Sequence, residues 1–181
     1  MNKRLVYVIG QPGSGKTTLM SALTSASVRL PQDKPVPRDL LATRNTGRVW
    51  AVELGRQRPG GFSGTDALAS TAINTAEPWL RSQTEAPVVL AEGARLANRR
   101  FLTAAVESGY QVLLVLLDHA DAERWREARS VEIGKHQNAS WVKGRRSASL
   151  NLAADPPAGV EVLRGHPSAV QELIWAWVRA S

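Results

Sequence analysis

The segment Gly10–Thr18, with the sequence GQPGSGKTT, combines residue types and a spacing that suit phosphate binding. It matches the pattern G-x-x-x-x-G-K-[ST], follows the apolar run Leu5–Ile9 and precedes a helical pattern. Glycines in such a loop let backbone N–H groups turn inward around phosphate oxygens, and the N-terminus of the next helix adds partial positive charge. We therefore expect this loop to bind a nucleoside triphosphate.

Two side chains of the loop are expected to act on that triphosphate. Lys16 should reach the β- and γ-phosphates, and the Thr17 hydroxyl should ligate Mg²⁺. ATP and Mg²⁺ are accordingly the expected cofactors. The remaining nucleotide contacts are assigned to the rest of the loop, namely Gly10, Gln11, Pro12, Gly13, Ser14, Gly15 and Thr18.

A carboxylate at the end of a later apolar run is a second candidate metal ligand. Val88–Gly93 reads VVLAEG, the pattern of a strand that ends at Glu92. A carboxylate oxygen there can approach Mg²⁺ directly or through water. In a sheet of order 2-3-1-4-5 the third strand lies beside the first, so Glu92 would face the loop. The alternative is that Glu92 is a solvated strand end.

Strand patterns recur along the chain with helix-length intervals between them. This alternation predicts an α/β fold with a buried parallel sheet. Together with the phosphate-binding loop it resembles the P-loop NTPase fold, which implies a five-stranded parallel sheet of order 2-3-1-4-5 between layers of helices. The expected strands are Leu5–Ile9, Val49–Leu54, Val88–Ala91, Val112–Leu117 and Val160–Leu163. The expected helices are Lys16–Ser27, Asp66–Ser82, Asn98–Ser108, Asp121–Val131 and Ser168–Arg179, with Thr65 or Asp66, Asp121 and Ser168 as possible caps.

Two stretches match neither the strand pattern nor the helical pattern of apolar residues. Leu30–Gly47 contains three prolines and is expected to be a surface excursion, and Gly134–Pro157 is polar, basic and expected to be irregular. No linker separates a second domain, so we expect residues 1–181 to form a single domain with a basic lid region at about 121–150.

The composition narrows the chemistry further. The chain has no cysteine, which excludes disulfides, thiolate metal sites and cysteine nucleophiles. Its three histidines, His119, His136 and His166, are widely spaced and match no metal-ligand pattern, so we assign them no role. No apolar run approaches the ~20 residues that span a bilayer. We expect a cytoplasmic protein without a membrane partner.

The charge balance bears on partners. The chain has 23 Lys+Arg against 16 Asp+Glu, a net charge of +7. This excess favours polyanionic partners such as nucleic acid, and the alternative is a generally basic surface without a specific partner.

A kinase must also hold an acceptor oxygen in line with the γ-phosphate, and a carboxylate at a strand end can orient that hydroxyl. Glu53, at the end of the second expected strand, is the first candidate for this base. Asp66 is the second candidate, because the preceding Gly60-Gly61 gives the backbone freedom to approach a substrate. The alternative is that Thr65 or Asp66 only caps the next helix. Asp39 is a third candidate.

With these residues the chain resembles the P-loop kinases of small molecules, nucleosides and nucleotides. Glu92-Gly-Ala-Arg95 is similar to the acidic-then-Arg signature of deoxynucleoside kinases, with a slightly different spacing. The resemblance implies that Glu92 and Arg95 lie near the metal and the acceptor. Glu53, followed by Arg56, resembles the base of such kinases, and Arg56 would contact the substrate.

Asp121–Arg129 looks like the lid of the same kinases, whose arginines close over the phosphates. Arg126 and Arg129 are the candidates for this contact, ahead of Arg124. A solvated helix face with Glu–Arg pairs is the alternative.

The stretch Gln137–Arg146 interleaves an aromatic ring with amides and cations, which suits a nucleic-acid strand or a nucleobase. Trp141, Lys143 and Arg145 are its candidate substrate contacts, although Trp141 could equally pack under a loop. Together with Phe62–Asp66, this stretch resembles small bacteriophage kinases, some of which phosphorylate 5-hydroxymethyluracil in DNA.

The leading hypothesis is therefore an ATP-dependent kinase whose acceptor is a hydroxyl on a nucleobase in DNA. One alternative is a kinase of free nucleosides or nucleotides. Others are a switch or ATPase that transfers phosphate only to water, and a degenerate loop module that only binds DNA. The intact Lys16-Thr17 pair argues against the last.

Overall fold

The computed structural model describes residues 2–56, 63–133 and 138–180, and within this part the chain forms an α/β fold. The strands are β1 Lys3–Gly10, β2 Ser27–Gln32, β3 Arg38–Thr43, β4 Val49–Leu54, β5 Val88–Glu92, β6 Tyr110–Leu117 and β7 Val160–Gly165. The α-helices are α1 Lys16–Thr24, α2 Ile73–Ser82, α3 Arg99–Glu107, α4 Asp121–Ile133, α5 Ala139–Ala154 and α6 Pro167–Arg179. A short 3-10 helix covers Thr65–Ala67.

The strands form one sheet in the order β2-β3-β4-β5-β1-β6-β7. Five neighbouring strands, β4, β5, β1, β6 and β7, are parallel, whereas β2 and β3 pair antiparallel with their neighbours. The prediction of a five-stranded, wholly parallel sheet is thus wrong. The P-loop NTPase-like, mostly parallel α/β class is confirmed.

The additional strands come from the segment that was expected to be irregular. Leu30–Gly47 contains part of β2 and all of β3, and Pro31 pairs with Asp39 within this ladder. β2 lies at the edge of the sheet, where a proline that lacks an N–H donor costs no ladder hydrogen bond on the open side. Pro31 therefore lies in an edge strand, whereas Pro35 and Pro37 lie in the connection between β2 and β3.

Helices cover both faces of the sheet. One core contains β1 residues such as Leu5 and Tyr7 packed with residues of α2, α3 and α5. The other contains Val6 and Val8 packed with residues of α1 and α6. This alternation along β1 is what a strand buried on both faces requires.

Three local predictions are corrected by the helices. The helix expected at Asp66–Ser82 begins at Ile73, because Thr65–Ala67 forms a separate 3-10 turn. Much of Gly134–Pro157 is the helix α5, which begins after the Asn138 cap. The cap of α6 is His166, whose ring accepts the Ser168 N–H, and not Ser168 itself.

Because the five parallel strands point the same way, their carboxyl ends meet at one edge of the sheet. The phosphate-binding loop, Glu92 and the segments that follow β4, β6 and β7 therefore lie at this edge. This is where ligands bind in open α/β sheets. No helix of the described ranges is long and apolar enough to cross a membrane.

Candidate active site at the carboxyl edge of the sheet

The phosphate-binding loop connects β1 to α1 in a conformation that depends on glycine. Gly13 has φ 83°, in the left-handed region. A Cβ atom at Gly13 would lie 2.6 Å from the Arg126 Cβ and 2.9 Å from the Ala122 carbonyl oxygen. Helix α4 thus packs directly on the loop, and Gly13 is needed both for its φ and for this contact.

Lys16 is held across the loop at the start of α1. Its Nζ donates to the carbonyl oxygens of Gly10 at 3.1 Å and Gln11 at 3.0 Å. These contacts hold the ammonium group against the backbone of the loop. The predicted phosphate ligand is therefore positioned within the loop itself.

Thr17 and Glu92 lie in direct contact. The Thr17 hydroxyl donates to the Glu92 Oε1 at 2.8 Å. Glu92 is buried, with only 2% of its surface exposed. Glu92 reaches this place because β5 pairs with β1 in a register that puts Glu92 opposite Val8. A hydroxyl and a carboxylate in contact form a pair of hard oxygen donors, the type that Mg²⁺ prefers.

Glu53 lies on β4 in a buried ion-pair cluster that also contains Asp39 and Arg29. The guanidinium of Arg29 donates to the Glu53 Oε2 at 2.6 Å, to the Asp39 Oδ2 at 2.9 Å and to the Thr24 hydroxyl at 2.6 Å. The structure thus brings together two of the three predicted acceptor carboxylates. The arginine that joins them lies on β2 and was not among the predicted site residues.

The protonation of Glu53 is perturbed. The pKa of Glu53 is raised to about 7, mainly by burial. The Arg29 guanidinium opposes this rise, and the nearby Glu92 and Asp39 carboxylates contribute to it. The residue is 1% exposed, and its Oε1 is buried without a hydrogen-bond partner among the described residues. A carboxyl group with this pKa and an unused acceptor oxygen can accept a proton near neutral pH.

Replacing Arg29 with methionine should lower the free energy of unfolding by roughly 3 kcal/mol, because two buried carboxylates lose their cation. It should also raise the midpoint of any pH profile that Glu53 controls, since Arg29 lowers the pKa of this carboxyl. Chemical denaturation checks the first effect. The control is Arg81→Met, which removes an exposed partner of Glu77 and Glu107 and should cost under about 1 kcal/mol. Equal losses for the two variants would contradict the prediction.

Asp66 occupies the 3-10 helix beside the end of β5. It does not cap α2, as was one expectation; its Oδ1 accepts the Ala94 N–H at 2.8 Å. A Cβ atom at Gly93 would lie 2.8 Å from the Asp66 Cγ, so the carboxylate is packed against the residue after Glu92. Thr65 fixes this turn by donating to the Glu92 carbonyl at 2.8 Å. Asp66 is thus half-buried and adjacent to the Thr17–Glu92 pair.

The two predicted substrate arginines occupy different surroundings. Arg56, after β4, forms an ion pair of 2.5 Å with Asp33, and its Nε is buried with no hydrogen-bond partner in the described part of the chain. Arg95, after β5, is exposed. Gly60 and Gly61, which are expected to let the backbone approach a substrate, lie outside the described residues. So does Phe62, which belongs to the stretch that resembles the bacteriophage kinases.

Two of the predicted lid arginines of α4, Arg124 and Arg126, are paired with acidic residues of the same helix. Arg126 donates from Nε to Glu123 at 3.1 Å, and Arg124 forms a 2.8 Å ion pair with Asp121. This is the Glu–Arg surface pairing of the alternative interpretation, although the backbone of Arg126 contacts the phosphate-binding loop at Gly13. The side chain of Arg129 lies outside the described residues.

The predicted aromatic-basic stretch forms the first half of α5. Trp141 is 43% exposed, and the Arg145 guanidinium lies over its ring at 5.7 Å from the ring centroid. Lys143 is exposed, and Arg146 forms a 3.2 Å ion pair with Asp118 after β6. Contact with Asp118 places this half of α5 near the carboxyl edge of the sheet. Gln137, also part of the predicted stretch, lies outside the described residues.

An aromatic cluster beside the loop was missed by the sequence analysis. The rings of His119, Trp125 and His166 lie with centroids 4.6 to 5.2 Å apart, and the His119 Nε2 lies 3.0 Å from the Ser14 carbonyl oxygen. His119 and His166 each follow a parallel strand, and β6 and β7 are neighbours. The position of both histidines shortly after predicted strands could have indicated that they lie close together. Their wide spacing in the sequence hid this relation.

Comparison with known proteins gives a family and remote likenesses to solved structures. The family described as P-loop Nucleotide Kinase3 matches residues 1–176. Among solved structures, Kti12 of Chaetomium thermophilum in complex with ADP-AlF3 aligns with 14% identity and a TM-score of 0.45, covering 97% of this chain and 100% of that chain. No curated protein matches the sequence significantly.

The family match covers the phosphate-binding loop and all the strands and helices around it except the last residues of α6. It supports kinase activity and nucleotide binding in general. The narrower resemblance to bacteriophage 5-hydroxymethyluracil DNA kinases stays a prediction. The chain therefore belongs to the P-loop Nucleotide Kinase3 family, whose match includes the phosphate-binding loop and the strands that carry Glu53 and Glu92.

Proposed function

We propose that the protein is an ATP- and Mg²⁺-dependent kinase that transfers the γ-phosphate to a hydroxyl group carried by a nucleobase in DNA. The observation that carries the kinase assignment is the 2.8 Å contact between Thr17 and Glu92. It places a hydroxyl of the phosphate-binding loop and a strand-end carboxylate together, which is the donor set for Mg²⁺ beside a triphosphate. Bound there, Mg²⁺ would neutralise charge on the β- and γ-phosphate oxygens.

The chain's own residues then have distinct tasks. The loop N–H groups and Lys16 bind the phosphates, while Thr17 and Glu92 hold the metal. Glu53 accepts the proton of the acceptor hydroxyl, since its pKa of about 7 suits this transfer near neutral pH. Asp66, beside Glu92, is the alternative base and is more accessible than Glu53.

The proposed DNA acceptor is supported by the basic first half of α5. Trp141 offers an exposed ring on which a base can stack, and Lys143 and Arg145 offer cations for backbone phosphates. Such contacts would hold a strand next to the carboxyl edge while a base hydroxyl enters the site. Arg126 and Arg129 would close over the triphosphate in this proposal, and Arg56 and Arg95 would contact the acceptor.

The experiment that tests the function is transfer of label from γ-labelled ATP with Mg²⁺. Three acceptors are compared: DNA containing 5-hydroxymethyluracil, unmodified DNA, and a mixture of free nucleosides and nucleotides. Label confined to the modified DNA supports the proposal. Label in a free nucleotide would overturn the DNA acceptor and keep the kinase, whereas release as inorganic phosphate alone would overturn the kinase.

The α5 surface has its own charge-matched control. Lys143→Gln with Arg145→Gln should weaken the apparent affinity for DNA and reduce its salt dependence, because fewer counterions are released. Arg81→Gln with Arg100→Gln removes two exposed cations from α2 and α3 and should leave both properties unchanged. Equal effects of the two double variants would point to net charge rather than a binding surface.

Thr17→Ala should raise the Mg²⁺ concentration needed for half-maximal transfer by roughly tenfold or more, because one metal ligand is lost. Thr17→Ser keeps the hydroxyl and should stay within about threefold of the wild-type requirement. The measurement is the rate of transfer as a function of Mg²⁺ at saturating ATP. An unchanged requirement in the alanine variant would remove Thr17 from the metal site.

A further inference from the structure

Two histidines and a carboxylate converge beside the phosphate-binding loop, in a cluster that shares no residue with the Thr17–Glu92 pair. His119 follows β6, Asp121 begins α4 and His166 follows β7. One potential ligand atom from each lies within 4.8 Å of the other two, and all three residues are half-buried. His119 and His166 are far apart in the sequence but meet in this cluster because β6 and β7 are paired neighbours.

His119 uses one of its two ring nitrogens in a contact with the phosphate-binding loop. Its Nε2 lies 3.0 Å from the Ser14 carbonyl oxygen, which can only accept, so Nε2 carries the proton in this contact. The neutral ring then has its lone pair on Nδ1. Nδ1 is buried and has no hydrogen-bond partner among the described residues. A metal-binding histidine typically donates its other N–H to a carbonyl in this way.

His166 and Asp121 face one another at a distance that suits a shared ion. The His166 Nε2 lies 3.7 Å from the Asp121 Oδ2, which is too long for a hydrogen bond. Two ligand atoms of a tetrahedral zinc ion with an oxygen and a nitrogen donor are about 3.4 Å apart. As the cap of α6, the His166 Nδ1 accepts the Ser168 N–H at 3.3 Å. In the tautomer that binds an ion through Nε2, Nδ1 would instead donate to the Ser168 hydroxyl, which lies 2.8 Å away.

We propose that His119 Nδ1, His166 Nε2 and the Asp121 carboxylate bind a divalent transition-metal ion of the Zn²⁺ type. Two imidazoles and a carboxylate favour Zn²⁺ and similar ions over Mg²⁺, which prefers oxygen donors. The ion would join the ends of β6 and β7 to the first turn of α4. Through the His119 contact with Ser14 it would also be linked to the phosphate-binding loop. The site is separate from the Thr17–Glu92 pair and does not depend on the proposed function.

The test uses the full chain without an affinity tag, titrated with Co²⁺ or Zn²⁺ alone and without nucleotide. One ion per chain should bind, and Co²⁺ should give the absorption of a nitrogen-ligated ion. His119→Gln retains an N–H for the Ser14 carbonyl, His166→Asn retains a cap for α6, and Asp121→Asn retains the shape of the side chain. Each should weaken binding by roughly tenfold or more.

The matched control is Asp118→Asn, which removes an exposed carboxylate of the same segment that pairs with Arg146. It should change the affinity for Co²⁺ by less than about twofold. Circular dichroism and the thermal midpoint establish that each variant is folded. Absence of binding by the folded wild-type chain would overturn the site. So would binding that all three ligand variants leave unchanged, or that is lost instead in a His136→Gln variant.

Discussion

Replacing Lys16 with alanine is expected to lower the rate of phosphoryl transfer by roughly 10³-fold, the scale of losing one charge that faces the transferred group. Lys16 is the cation of the loop, and its Nζ is already held over the loop by the carbonyls of Gly10 and Gln11. The charge therefore needs little reorganisation to meet the phosphates. Single-turnover transfer from labelled ATP measures the loss.

The fold should survive this change. The two lost hydrogen bonds contribute about 1 kcal/mol each to the free energy of unfolding. This loss is small against the total of roughly 5–15 kcal/mol that is typical of a domain. Lys34→Ala is the matched control, because Lys34 is exposed and lies between β2 and β3. Normal turnover in a folded Lys16→Ala protein would overturn the role of the loop in catalysis.

Glu53→Gln is expected to lower the single-turnover rate by about 10²-fold to 10⁴-fold, the usual contribution of a general base, while ATP affinity changes little. The amide fits the same buried position but cannot accept the proton. With a pKa of about 7, wild-type Glu53 is the active, deprotonated base only above neutral pH. The wild-type rate should therefore rise as the pH increases through about 7, and the variant should lack this rise.

A purely structural role of Glu53 would look different. It would reduce stability without removing the pH dependence of the remaining rate, so the free energy of unfolding is measured for the same protein. Glu172→Gln, at an exposed position of α6, is the control and should behave as wild type. Unchanged single-turnover kinetics in Glu53→Gln would move the base to Asp66, and Asp66→Asn would then be expected to lose the rate.

The parts of the fold that could be predicted have signals within short stretches. The loop around Lys16 is a contiguous pattern, and the buried parallel strands β1, β5 and β6 each contain an uninterrupted apolar run. β2 carries no such run, because half of its residues are exposed at the sheet edge. α5 was missed for a related reason: its hydrophobic residues form no clear stripe, and only Val142 and Ala153 are buried.

The sequence by itself determined the phosphate-binding loop, the α/β class and the carboxylates at strand ends, because each depends on neighbours in the chain. Only the tertiary structure decided which of these groups meet. The β2–β3 pairing brings Arg29 to Glu53 and Asp39, and the β6–β7 pairing brings His119 to His166. Both depend on pairing between segments whose register is set by packing of the whole sheet. Contacts of this kind leave no pattern in any single stretch of sequence.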